Sequence, residues 1–184
     1  PFPGRLATTG HSAYSTPLGL IPVSSRIHHL RDVLENSFQL ELSEVHRDSE
    51  HSLEIELPFL QQVLGAGIEL LPIMLADQSI RTARSLGLAL AEVLRNEEVV
   101  IIASTDLSHF NSQDQAVQFD KEMLSRIEAF DPEGVIRAEE EQLGFACGRG
   151  AAAAALWACR ELGADSVQVL DYSTSGDITG DYSS

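Results

Sequence analysis

Apolar residues recur three and four positions apart along much of this chain, and that spacing predicts amphipathic helices. Ser79 and Asp131 are of the type that caps a helix start, and Gly163 is of the type that ends one. The predicted helices cover residues 28–36, 79–95, 112–130, a short stretch that begins at Asp131-Pro132, and 150–162.

Short apolar runs, several of them rich in β-branched residues, lie between these helices and predict strands. They cover residues 20–23, 68–75, 98–103 and 167–172. Strands that alternate with helices indicate an α/β fold in which helices cover a sheet.

The segment 48–64 fits two patterns. Leu53, Ile55 and Leu57 alternate with glutamates as in a strand, whereas Leu53, Leu57, Leu60 and Leu64 follow helical spacing. Pro58 is hard to place inside either element. Because the helical pattern is the longer one, we predict a helix that bends at Pro58.

Length, charge and cysteine content limit the classes of protein to which this chain can belong. The 184 residues suit one domain, and a net charge of −16 argues against nucleic acid and anionic membranes as partners. No apolar stretch is long and clean enough to cross a bilayer. Two cysteines, Cys147 and Cys159, are too few for a disulfide framework. They indicate free thiols in a reducing compartment, so we predict a cytoplasmic protein.

The sequence Ser104-Thr105-Asp106-Leu107-Ser108-His109 follows the predicted strand 98–103 directly. Functional groups of α/β proteins collect beyond the carboxyl ends of strands, and a carboxylate beside an imidazole suits proton transfer or metal binding. The alternative is an ordinary turn, with Asp106 as a helix cap and His109 on the surface. The local sequence leaves both open.

Two further positions are candidates for chemistry. His51 lies among acids near a predicted helix start, and Cys147 opens the helix at 150–162 beside Arg149. A thiolate there is a ligand for soft or borderline metals. The alternatives are a solvated His51 and a packed, inert Cys147, although Cys159, which lies in mid-helix, fits the inert role better.

The order of five motifs is more specific than any one of them. The chain contains Tyr14-Ser15-Thr16-Pro17-Leu18-Gly19, Glu50-His51-Ser52 with Leu57-Pro58-Phe59, Ser104 to His109, Cys147-Gly148, and Tyr172-Ser173-Thr174-Ser175-Gly176-Asp177. This series resembles the Memo family, which includes the Memo-like protein B of the AmmeMemoRadiSam system. The resemblance spans essentially the whole chain.

The resemblance implies a three-layer α/β/α sandwich with a central mixed sheet, similar to class III extradiol dioxygenases. Those enzymes hold Fe(II) with two histidines and a carboxylate, and in Memo-like proteins a cysteine replaces the carboxylate. By this resemblance Cys147 is a metal ligand, His109 is the acid/base, Asp106 is its neighbouring acid, and His51 is a second histidine of the pocket. The implied metal is iron, copper or zinc.

One part of the family pattern has no counterpart here. The family's two metal-binding histidines precede the Thr-Pro-Leu motif, and this chain begins just before that motif. We therefore expect residues 1–184 to be a single Memo-like domain that is incomplete at both ends and binds metal poorly as it stands. Exposed sheet edges would then allow homo-oligomers.

The resemblance leaves the function in two main alternatives. The first is a metal-associated, redox-active pocket for a substrate that the sequence does not identify. The second is a non-catalytic module that uses the same pocket to bind a small molecule or a peptide. The system's name also implies radical-SAM and Ammecr-type partners.

Overall fold

The structure is a computed structural model that describes residues 4–47, 51–65 and 67–181. The chain divides into two units, Pro1–Asp77 and Gln78–Ser184, which are described separately.

A small mixed sheet organises the first unit. Strand β1 (Leu6–Thr9) pairs in parallel with β4 (Leu42–Val45) and antiparallel with the two-residue β5 (Met74–Leu75), in the order β4-β1-β5. Between β1 and β4 in sequence, β2 (Ala13–Thr16) and β3 (Gly19–Pro22) form a separate hairpin. The turn of this hairpin uses Gly19 at φ +126°, a backbone conformation that favours glycine.

Two helices complete the first unit. Helix α1 (Arg26–Phe38) lies between β3 and β4 in sequence, and Leu30 and Leu34 on its inner face are fully buried. Helix α2 (Ser52–Leu64) contains Pro58 in its interior and buries Leu57. The helical interpretation of this ambiguous segment is therefore confirmed.

The second unit contains helices α3 (Ile80–Leu94), α4 (Gln113–Glu128), α5 (Pro132–Glu140), α6 (Arg149–Glu161) and the short α7 (Ser175–Thr179). The predicted caps are confirmed: the Ser79 side chain accepts the Thr82 N–H, and the Asp131 side chain accepts the Gly134 N–H. The helices predicted at 28–36, 79–95, 112–130 and 150–162 all form, with ends that differ by up to two residues.

Helices α3 and α6 pack closely because small residues face each other. Ala83 on α3 and Ala154 on α6 are almost completely buried. A Cβ placed on Gly87 would lie 2.6 Å from both the Ala154 carbonyl oxygen and the Trp157 Cβ. The missing side chain at position 87 thus allows the two backbones to approach.

Two predicted strands are wrong. Residues 98–103 and 167–172 belong to no strand, and Val100 and Leu170 are 66% and 88% exposed. A strand needs a neighbour for its hydrogen-bond ladder, and among the described residues no strand pairs with either segment. A segment rich in β-branched residues therefore does not form a strand unless another strand lies beside it.

The strand predicted at 68–75 forms only in part. Its last two residues make β5, and Leu70 makes an isolated parallel bridge to Val23. The strand predicted at 20–23 corresponds to β3. Helices together with a mixed sheet confirm the α/β class.

None of the helices among residues 4–47, 51–65 and 67–181 combines the length and apolarity needed to cross a membrane.

The contact between α3 and α6 generates a prediction. Gly87→Ala forces the two helices apart, and such overpacking costs about 1–3 kcal/mol. Alanine also stabilises a helix interior by about 0.5–1 kcal/mol relative to glycine, which offsets part of this cost. The two ranges combine to a net loss of about 0–2.5 kcal/mol, so we expect the free energy of unfolding to fall by about 1 kcal/mol, measured by urea denaturation.

The control for this variant is Glu92→Ala, an exposed position on the same helix. It should change the free energy of unfolding by less than about 0.5 kcal/mol. A Gly87→Ala protein more stable than the wild type would contradict the close contact.

Candidate functional site

Three of the four predicted site residues lie together in the second unit. Asp106, His109 and Cys147 each offer one ligand atom, and these atoms all lie within 4.8 Å of one another. The His109 Nε2 is 3.9 Å from the Asp106 Oδ2, a separation that suits an ion pair but is too long for a hydrogen bond. All three side chains are exposed to solvent.

Three hydrogen bonds, each donated by a backbone N–H, hold the loop 104–109 against the residues that precede α6. The Cys147 N–H donates to the Asp106 carbonyl oxygen at 3.1 Å, and the Asp106 N–H donates to the Cys147 Sγ at 3.1 Å. The Gly148 N–H donates to the Thr105 Oγ1 at 2.8 Å. The first N–H groups of a helix have no partner within it, so this loop supplies partners that the helix needs.

Position 148 must be small for this contact to exist. A Cβ on Gly148 would lie 2.4 Å from the Ser104 carbonyl oxygen and 2.9 Å from the Thr105 Cβ. Because the nearest atom belongs to the backbone, a larger residue would push the loop away from α6.

Gln78 supports the same helix start from another side. Its Nε2 donates to the Cys147 carbonyl oxygen at 2.9 Å, and its Oε1 accepts the Gly150 N–H at 2.8 Å. The backbone on both sides of Gly148 is therefore fixed by two different loops.

A cavity of about 380 Å³ opens beside the cluster. Ligand sites usually measure about 300–1,000 Å³, so this one suits a small molecule or a single side chain. Its walls combine apolar and polar groups, among them Leu107, His109, Asn111, Phe145, Cys147 and Arg149.

An ion pair forms part of the cavity wall. The Arg149 Nη1 lies 2.9 Å from the Glu139 Oε2, and both side chains are largely covered. The Arg149 Nε is buried and has no hydrogen-bond partner among the described residues. The wall therefore carries a fixed pair of opposite charges next to a thiol and an imidazole.

The alternative interpretation of residues 104–109, an ordinary turn with Asp106 as a helix cap and His109 on the surface, is correct for His109 but not for Asp106. The next helix, α4, begins at Gln113 with Ser112 as its cap position, so the idea that Asp106 caps it is wrong. His109 is indeed half exposed. Residues 104–109 are not helical, and Asp106 and His109 are brought together by the loop instead of a helix face.

His51 belongs to the first unit. It stands immediately before α2, is exposed, and its Nδ1 contacts the Glu54 carboxylate within the first turn of that helix. Residues 48–50, which precede it, lie outside the described residues. The pocket role of His51 remains a prediction.

The motif Tyr172 to Asp177 is partly a helix cap. The Thr174 side chain accepts the Asp177 N–H at 3.3 Å, and the Asp177 carboxylate accepts the Thr174 N–H at 2.9 Å. The carboxylate also accepts the Thr174 hydroxyl at 2.9 Å, and its hydrogen bonds from the backbone N–H and then from the hydroxyl of Thr174 lower the pKa of Asp177. The motif's Thr and Asp thus have a structural role at the start of α7.

The hydrogen bond that Thr105 accepts gives a prediction. Thr105→Val keeps the shape of the side chain but leaves the Gly148 N–H without its acceptor, at a cost of about 1–3 kcal/mol. Urea unfolding should reveal this loss. Thr105→Ser keeps the hydroxyl and should retain most of the stability, so equal stability of the two variants would refute the role of this hydrogen bond.

Comparison with known proteins agrees with these motifs. A family model described as "Memo-like protein" matches residues 3–184. A MEMO1 family protein of Nitrosopumilus maritimus is 36% identical over 97% of this chain and 64% of its own length. Relatives from Methanopyrus kandleri and Methanococcoides burtonii are 35% and 38% identical, each over 97% of this chain.

The chain spans a little under two thirds of the length of several of these relatives, for example 63% of the Methanopyrus kandleri protein and 62% of that from Methanothermobacter thermautotrophicus. The family match nevertheless covers nearly every residue of the chain itself. The chain belongs to the Memo-like protein family.

Proposed function

We propose that this protein has a metal-associated, redox-active pocket that resembles the site of class III extradiol dioxygenases. The observation that carries the proposal is the cluster of a thiol, an imidazole and a carboxylate from Cys147, His109 and Asp106, next to a cavity of about 380 Å³. The substrate is a small molecule of unassigned identity.

The three donor types fit iron, copper or zinc. Thiolate is a ligand that suits these metals, and imidazole and carboxylate are compatible with them as neighbouring groups. The donor atoms of His109 and Asp106 lie within 4.8 Å of the Cys147 sulfur, so both groups stand close to an ion held by Cys147.

Each residue has its own role in the proposal. Cys147 is a metal ligand, with its sulfur oriented by the Asp106 N–H. His109 takes up and releases protons at its Nε2, because an imidazole nitrogen can both accept and donate a proton. The Asp106 carboxylate, 3.9 Å away, compensates the positive charge of the protonated ring. The chemistry that bound iron or copper supplies is electron transfer.

The proposal extends to the fold and to His51. We expect the whole protein to form a three-layer α/β/α sandwich, and the mixed sheet with its parallel pair β1 and β4 supports this. By the resemblance, we expect His51 to be a second proton-handling histidine of the intact protein. Its exposed position before α2 leaves its imidazole accessible.

Exposure of the cluster also favours a second function. The Asp106 side chain is 81% exposed and that of His109 is 47% exposed, so the site is open enough to admit a peptide side chain. A binding module without turnover would use the same cavity.

The two cysteines allow a matched test of metal binding. We expect the intact protein, loaded anaerobically with Fe(II) or Cu(I), to retain metal in elemental analysis. Cys147→Ser should weaken binding by more than about tenfold, because the thiolate is a direct ligand. Cys159→Ser, within α6 and away from the cluster, should bind like the wild type.

Outcomes of this test separate the two functions. A wild-type protein that holds no metal contradicts the redox proposal. Saturable peptide binding without metal would then support the binding module. Equal metal loss in both cysteine variants would also contradict the role of Cys147.

A second variant separates ligands from proton-handling groups. His109→Ala should fold and retain its metal, but metal-dependent oxygen uptake with ascorbate as the electron donor should fall strongly, because the variant lacks the proton-transfer group beside Cys147. Elemental analysis and an oxygen electrode measure the two properties. If metal is lost instead, His109 is a ligand and its assigned role is wrong.

A further inference from the structure

Asp120 is a buried acid outside the cluster. It lies in α4, 4% exposed, and among the residues that the structure describes it is the only acidic side chain that is almost fully buried. A buried carboxylate is costly unless hydrogen bonds compensate for its lost hydration. Its partners therefore indicate why it is there.

Both oxygens of Asp120 accept a hydrogen bond from a different segment. Oδ1 accepts the Ser108 backbone N–H at 2.9 Å, and Oδ2 accepts the Tyr172 hydroxyl at 2.7 Å. The carboxylate thus joins α4 to the loop 104–109 and to the segment 167–174. Neither segment belongs to a strand, so the hydrogen bonds to Asp120 add to the few contacts that hold each of them in place.

The surroundings of Tyr172 keep its hydroxyl protonated, so that it can donate a hydrogen bond. Burial raises the pKa of Tyr172 well above its usual range, and the hydrogen bond to Asp120 raises it further. The phenol therefore stays protonated at ordinary pH, and its hydrogen bond to the carboxylate persists.

Ser108 is held through its backbone. Its hydroxyl oxygen is buried and has no hydrogen-bond partner among the described residues, whereas its N–H bonds to Asp120. Ser108 stands next to His109 and two residues after Asp106. Fixing its peptide group fixes the direction in which both side chains leave the loop.

We propose that Asp120 is a positioning residue that places His109 and Asp106 opposite Cys147 by anchoring the Ser108 peptide, with Tyr172 as its second support. The metal-related part of this inference rests on the proposed function. The anchoring of the loop does not depend on any bound metal.

The test compares four forms of the intact protein: wild type, Asp120→Asn, Tyr172→Phe and Glu122→Gln. Glu122 is the matched control, because it is an acid on the same helix that pairs with Arg126 and makes no hydrogen bond to the loop. Amide hydrogen exchange is followed for residues 104–109 and, as an internal reference, for α6. Affinity for Co(II) is measured on the same samples.

We expect Asp120→Asn to speed exchange at residues 104–109 by about tenfold or more while α6 exchanges as in the wild type. Its affinity for Co(II) should fall by about tenfold, because the loosened loop no longer holds the Asp106 N–H against the sulfur of the metal ligand Cys147. Tyr172→Phe should produce a smaller change at the same residues. Glu122→Gln should match the wild type in both measurements.

Uniformly faster exchange in loop and helix would overturn the proposal, because Asp120 would then only stabilise the fold. Unchanged exchange at 104–109 would overturn it as well. If Asp120→Asn does not fold, Tyr172→Phe decides: selective acceleration at 104–109 supports anchoring, and wild-type exchange refutes it.

Metal binding by the wild type separates this inference from the proposed function. If the wild type binds no Co(II) but Asp120→Asn still loosens the loop selectively, the anchoring stands and the metal function fails. If the wild type binds Co(II) and Asp120→Asn changes neither measurement, the metal function stands and the positioning role fails.

Discussion

The hydrogen bonds between the loop 104–109 and the two residues before α6, Cys147 and Gly148, are the contact on which the candidate site depends. They run in both directions: the loop carbonyl of Asp106 accepts from Cys147, and the Cys147 sulfur accepts from the Asp106 N–H. A helix start that lacks internal partners is satisfied in the same step that orients the thiol. Without this contact, the carboxylate and the thiol would belong to unrelated parts of the chain.

Helices were predictable because their signals are local. Apolar spacing located α1, α3, α4 and α6, and residues such as Ser79 and Asp131 marked the starts of two helices. Strands were harder because each needs a partner from elsewhere in the chain. The runs 98–103 and 167–172 have the composition of strands, yet no described strand lies beside them.

The site was predictable only in part, for the same reason. Motif order singled out Asp106, His109 and Cys147, and the first and last of these are 41 residues apart. The sequence does not indicate that Thr105, inside the motif, accepts a hydrogen bond from Gly148. Gln78 could not be predicted either, because it lies 69 residues from Cys147, whose carbonyl oxygen it contacts. Asp120 did leave a signal: it interrupts the apolar face of α4, seven residues before Ile127. A charge on such a face needs a partner.

Position 106 carries two properties that mutation can separate. Its carboxylate belongs to the side chain, but the N–H that bonds the Cys147 sulfur belongs to the backbone and is present in every residue except proline. Evolution can therefore change the charge beside His109 without disturbing the environment of the sulfur. Relatives could differ in acidity at this position and still keep the same thiol geometry, so the two properties of the pocket can diverge independently.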